Sequence, residues 1–145
     1  HDDLIVPWDV EEIDGGCKVY MRVHYKILAP DGKLSPSAFV NHPKDGPDAG
    51  MSTNWGKHST ASQCQNEARQ EPFKYAVAEL NVEEIRKLPQ QTVIHSPLPL
   101  NRAHTDVGGD KSEKVRVQYY CIAKVAVALS AEGWVLKKAH EESKL

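Results

Sequence analysis

From Cys17 to Leu28 the chain alternates apolar and polar side chains, and no other segment narrows its fold as much. Cys17, Val19, Met21, Val23, Tyr25 and Ile27 fall on one side; Lys18, Tyr20, Arg22, His24 and Lys26 fall on the other. Successive side chains of a strand point to opposite faces, so this period of two predicts a half-buried β-strand. Its β-branched and aromatic residues suit a pleated surface. One face must then meet a core, while the other is left for solvent or a ligand.

The remaining pattern predicts what packs on that strand. Ala29 to Trp55 is rich in Pro, Gly, Asp and Asn and reads as a long loop with one apolar island, Ala38-Phe39-Val40; a loop of that length is mobile or functional. A helix is expected from about Ser59 or Thr60 to about Gln70, closed by Pro72. Lys74 to Leu80 alternates as a second strand. Asn81 with Glu84 forms a capping-box pattern ahead of a short helix, Val82 to Leu88, that stops at Pro89. Thr92 to His95 and Ala103 to Val107 read as short strands, and Gly108-Gly109 as a turn. Ser112 can cap the longest helix, Glu113 to about Leu129, because Val115, Tyr119, Ile122, Ala126 and Leu129 recur at helical spacing. Gly133 ends that segment, Trp134-Val135-Leu136 is a last apolar patch, and residues 137–145 form a charged tail. The expectation is one α+β domain over residues 1–145, a mixed β-sheet with two or three packed helices, preceded by a lead segment at 1–14 and carrying the loop at 29–55.

A chain of 145 residues is long enough to bury such a core without staples. Its formal charge is −2, from 18 basic and 20 acidic residues. A protein held to nucleic acid through phosphates usually has a basic excess, so any such contact would need a local patch that the net charge does not support. No apolar run reaches the roughly 18 residues that cross a bilayer, and the acidic His1-Asp2-Asp3 start does not read as a signal peptide. The three cysteines, Cys17, Cys64 and Cys121, are odd in number and widely spaced. That pattern favours free thiols in a soluble, cytoplasmic protein, with Cys17 and Cys121 on apolar faces.

Several polar positions exceed what a scaffold needs. Tyr20, Arg22, His24 and Lys26 stand side by side on the first strand, where they line a groove for an anion or simply solvate a sheet face. The segment from Asn101 through Arg102 and His104 to Lys111 leads through a glycine turn into a helix, where backbone amides favour an anion. His104 reads equally well as a hydrogen-bonded core residue. Ser37 and Ser52 lie beside the aromatic anchors Phe39 and Trp55 at the two ends of the long loop. Histidines 24, 42, 58, 95, 104 and 140 show no His-x-x-x-His spacing, so no metal is expected, and no nucleotide-binding fingerprint calls for a cofactor.

The succession Pro36-Ser37-Ala38-Phe39, Met51-Ser52, Arg86 and Asn101-x-Ala103-His104-x-x-Val107-x-Gly109-x-Lys111 resembles a group of short bacterial proteins of unknown function. The resemblance spans roughly Arg22 to Lys124. It implies a bacterial origin and adds weight to those positions, but no activity.

Two functional classes follow. The first is a binding or accessory module that recognises a small anionic ligand or a macromolecular partner, such as a protein, through Arg22, Ser37, Ser52, Arg102 and Lys111. The second is a small metal-independent enzyme acting on a phosphodiester or nucleotide, with His24 and His104 as acid and base. The second requires both histidines in one cleft.

Overall fold

The computed structural model describes residues 5–42, 50–68 and 71–143. The strands are β1 (Lys18–His24), β2 (Met51–Trp55), β3 (Tyr75–Asn81), β4 (Thr92–His95), β5 (His104–Gly108) and β6 (Lys124–Val127). The α-helices are α1 (Ala61–Asn66), α2 (Val82–Arg86), α3 (Glu113–Ile122) and α4 (Ala131–Glu142). The strands form one sheet in the order β4-β5-β2-β1-β3-β6. The chain is thus the single α+β domain that its pattern predicts. Within it every strand pair is antiparallel rather than mixed.

The alternation in β1 does what it promised. Val19, Met21 and Val23 are buried, in register with Leu80, Ala78 and Ala76 of β3. With Trp55, Val93 and Val107 they form the core face of the sheet, which packs on Val82 and Ile85 of α2, Val115 and Tyr119 of α3, and Phe39. The strand is shorter than its pattern, however. After His24 the chain turns, with Ile27 N–H donating to the His24 carbonyl at 2.9 Å, and Ile27 is exposed. Tertiary packing stops the strand, not a change in periodicity.

The second long segment is split. Glu113–Ile122 is helical and Ser112 caps it, its Oγ accepting from Val115 N–H. Ala123 is extended, and residues 124–127 become β6 on the free edge of β3. Ala126 and Leu129 fit helical spacing by coincidence, whereas Val125 and Val127 suit a strand and β3 needs a partner. Cys121, near the end of α3, is exposed rather than on an apolar face, and Cys64 is the buried cysteine; all three are free thiols.

Other expectations also shift. Gly133 does not end a helix but lies in the first turn of α4, under the cap made by Ser130 Oγ. A Cβ there would collide with the Phe73 carbonyl, so only glycine permits this approach. The charged tail is mostly α4, and Lys137 within it is buried. Part of the expected 29–55 loop is strand β2, because Met51, Thr53 and Trp55 alternate into the core. Residues 43–49 of that loop lie outside the described residues. So do the first four residues of the lead, the helix end near Gln70, and the last two residues of the tail. The helix begins where expected, with Thr60 forming a full capping box with Gln63, but its last helical residue is Asn66. The later lead is no loose extension: Ile13 is in the core, and Arg86 donates to its carbonyl at 2.7 Å. No helix among the described residues is long and apolar enough to cross a membrane.

Lys111 is buried, where its Nζ donates to the carbonyls of Val107 (3.0 Å) and Gly109 (2.8 Å) near the Tyr119 ring. Burial pulls its pKa down to about 8 from 10.5. A lowered folded pKa means that the unfolded chain holds more protons between those values, so folding should strengthen as pH rises through that window. Below it, the cost of the buried charge is fully present. Relative to Lys111→Met, which keeps the stem without the charge, the parent should gain about 1–2 kcal/mol from pH 7.5 to 10.5, after allowance for solvent screening. Urea midpoints of both proteins across that range check this. A constant difference would refute it.

Candidate functional site

The opposite face of the sheet is polar along β1, β2 and β5. Tyr20 of β1 pairs with Asn54 of β2, which pairs with His104 of β5, setting three polar side chains in one row across the sheet. One step along, Ser52 pairs with Asp106. Strands β1 and β2 are paired only at Val19↔Trp55 and Tyr20↔Asn54. Beyond Tyr20 their ladder ends, and a cavity of about 410 Å³ lies over this part of the sheet. Its lining includes Tyr20, Arg22, Ser52, Asn54, Asn101 and His104.

Helix α1 and the loop after β4 complete the walls. Gln65 Nε2 donates to the Tyr75 carbonyl at 3.0 Å, fastening α1 to β3. Arg22 NH1 donates to the Cys64 carbonyl at 2.8 Å and stands 3.8 Å from Glu67 Oε1. The same Glu67 oxygen accepts from Asn54 Nδ2 at 2.8 Å and Asn101 Nδ2 at 3.0 Å. Asn101 Nδ2 also reaches Asn54 Oδ1 at 2.9 Å. Asn54 is only 3% exposed, so this amide–carboxylate network holds a fixed geometry in a partly dry place. Cys64 lines the same cavity, but burial raises its thiol to about 11, which makes it a poor nucleophile.

His104 is held at both ring nitrogens. Nδ1 lies 2.8 Å from the Ser96 carbonyl, and Nε2 lies 3.3 Å from Ser52 Oγ and 4.0 Å from Asp106 Oδ1. A carbonyl can only accept, so Nδ1 carries the proton and Nε2 offers its lone pair to the Ser52 hydroxyl.

Of the residues singled out from the sequence, Tyr20, Arg22, Ser52, Asn101 and His104 come together here. The others do not. Lys111 is buried against Tyr119 and uses its ammonium on backbone carbonyls. Ser37 lies in a 3-10 turn, with its Oγ 2.6 Å from that of Ser35. Arg102 stacks over Trp8 and faces Glu11 at 3.6 Å. His24 shares the polar face but not the cavity lining: its Nδ1 accepts from Lys26 N–H, and its ring packs on Tyr25 and Tyr75. Four residues along β1 and two strands across separate it from His104, a distance of roughly 16 Å at ordinary sheet spacings. Burial, then the charges of Lys26 and Lys74, push its pKa below 6.5.

Asn54, Glu67 and Tyr75 escaped the sequence reading as site residues. For Asn54 a signal existed, since the alternation in Met51–Trp55 puts it on the same face as Ser52. For Glu67 none did, because only the docking of α1 brings it to the strand. The chain matches no protein-family model, no curated protein and no solved structure.

Proposed function

We propose that this chain is a binding module whose cavity takes a small ligand with a carboxylate or phosphate group. One observation carries the reading: among the described residues, Arg22 is the only lysine or arginine in the cavity lining, and no carboxylate shares that lining. Glu67, the nearest acid, already accepts two amide hydrogens through the oxygen facing Arg22. Asn, Ser, Tyr and His side chains around the guanidinium supply donors and acceptors for the uncharged part of a ligand. A planar guanidinium suits bidentate contact with a carboxylate or phosphate. The enzymatic alternative built on His24 and His104 gets no support from the geometry, because His24 is not at the cavity.

The test is an amide chemical-shift titration with inorganic phosphate, acetate and nucleoside monophosphates as probes. Shifts should cluster at Tyr20, Arg22, Ser52, Asn54 and Asn101, and Arg22→Gln should weaken the response about tenfold or more, consistent with the roughly 1.5–3 kcal/mol of a charge-assisted hydrogen bond. Shifts centred elsewhere, or unaltered by Arg22→Gln in a protein that melts like the parent, would sink the reading.

A further inference from the structure

We propose that Ser52 is a nucleophile, activated by His104, and that the cavity performs acyl transfer on esters bearing an anionic group. This rests on the ligand reading above and adds a reaction to the same site. Three features of the geometry support it. Ser52 Oγ lies 3.3 Å from His104 Nε2, a nucleophile–base spacing at the looser end usual without substrate. The Ser96 carbonyl fixes the imidazole in the tautomer whose free lone pair faces that hydroxyl. Asp106 Oδ1, 4.0 Å from Nε2, stands ready to stabilise the imidazolium once the proton arrives.

The pair is built into the sheet. Asn54 is opposite His104 and Ser52 is opposite Asp106, so Ser52 and His104 are diagonal neighbours on one face of β2 and β5. Regular strands hold both side chains, which positions them better than loops would. A serine–histidine contact on an open sheet face is usually ordinary solvation. Here it borders a cavity that also holds a guanidinium, and the base is oriented by a third group.

In the first half-reaction, Ser52 Oγ bonds to the ester carbonyl carbon as its proton passes to His104 Nε2. The carbon–alkoxy bond then breaks, and the alkoxide leaves as an alcohol with that proton. In the second, water attacks the acyl-serine and gives a proton to Nε2. The serine–acyl bond breaks, the carboxylic acid departs, and the proton returns to Oγ. The net reaction is ester plus water to acid plus alcohol. Arg22 holds the substrate's anionic substituent and gives the developing oxyanion a positive surrounding.

The probe is a fluorophosphonate, followed by intact mass and peptide mapping. The expected result is one adduct, on Ser52, that is absent in Ser52→Ala. Labelling should slow about 100-fold or more in His104→Asn, the usual scale for losing a general base. Asparagine keeps a donor for the Ser96 carbonyl but cannot take the proton, and thermal melts matching the parent confirm that the fold is intact. No adduct on Ser52, or labelling as fast in His104→Asn as in the parent, overturns the proposal. The phosphate titration of the parent protein separates the two readings: shifts centred on Arg22 with no adduct on Ser52 overturn the dyad and leave the binding site standing.

Discussion

Trp55→Ala should lower stability by about 3–5 kcal/mol, the usual range for truncating a buried aromatic side chain. Trp55 is 2% exposed and sits in the register of β1 opposite Val19. Its ring packs edge-on against His58 and His95, each with centroids 5.2 Å away. Alanine would leave a void between these rings and the sheet, and the neighbouring strands are too constrained to close it. The loss would spread to the site, because Asn54 precedes Trp55 and Trp55 N–H binds the Ala103 carbonyl at 2.7 Å, next to His104. A second substitution isolates packing from polarity. The indole Nε1 is buried and has no hydrogen-bond partner among the described residues. Phenylalanine keeps most of the packing and removes that unpaired donor, so Trp55→Phe should cost less than about 1 kcal/mol. Urea denaturation followed by circular dichroism measures both. Equal losses for the two variants would refute this account of the core.

Lys137→Ala should cost about 3 kcal/mol, on the basis of two charge-assisted hydrogen bonds lost at a buried position. The Lys137 ammonium donates to the carbonyls of Tyr25 (3.1 Å) and Leu28 (2.8 Å) and pairs with Glu141 at 2.9 Å. These bonds tie α4 to the turn that ends β1. Lys137→Met retains the packing of the stem and loses only the polar contacts, so it should fall between Lys137→Ala and the parent. The Glu141 carboxylate is 34% exposed, and a partly solvated pair contributes little. Glu141→Gln should therefore change stability by less than about 1 kcal/mol. Chemical denaturation ranks the variants, and amide exchange in α4 reports whether the helix has come loose. Glu141→Gln as harmful as Lys137→Ala would shift the weight from the carbonyl contacts to the ion pair.

The candidate site was half legible. Arg22 stood out because it lies mid-strand on the polar face of an alternating segment, and Ser52 and His104 because they lie in polar segments beside core anchors. Lys111 and Arg102 looked equally promising as cations near a glycine turn. Sequence carries no sign of which cation will spend its charge on nearby carbonyls, as Lys111 does, or stack on an aromatic ring, as Arg102 does. His24 was paired with His104 on chemistry alone. The register then put β2 between their strands and four residues along β1 between the rows they occupy.

Local pattern alone determined that β1, β3, β4 and β5 are strands, that α1, α2 and the first turns of α3 are helices, and that Asn81 and Ser112 cap the last two. These follow from side-chain direction and backbone hydrogen bonding within a few residues. Tertiary structure decided the rest: that β1 stops at His24, that residues 124–127 leave the helical pattern to complete the edge of β3, and that Lys137 becomes an anchor instead of part of a tail. It also decided that Arg22, Ser52 and His104 meet at all. Each of these outcomes depends on a partner distant in sequence, an open strand edge, a buried carbonyl or a gap between two strands, and the free energy of satisfying that partner outweighs the small local preferences that a sequence pattern records.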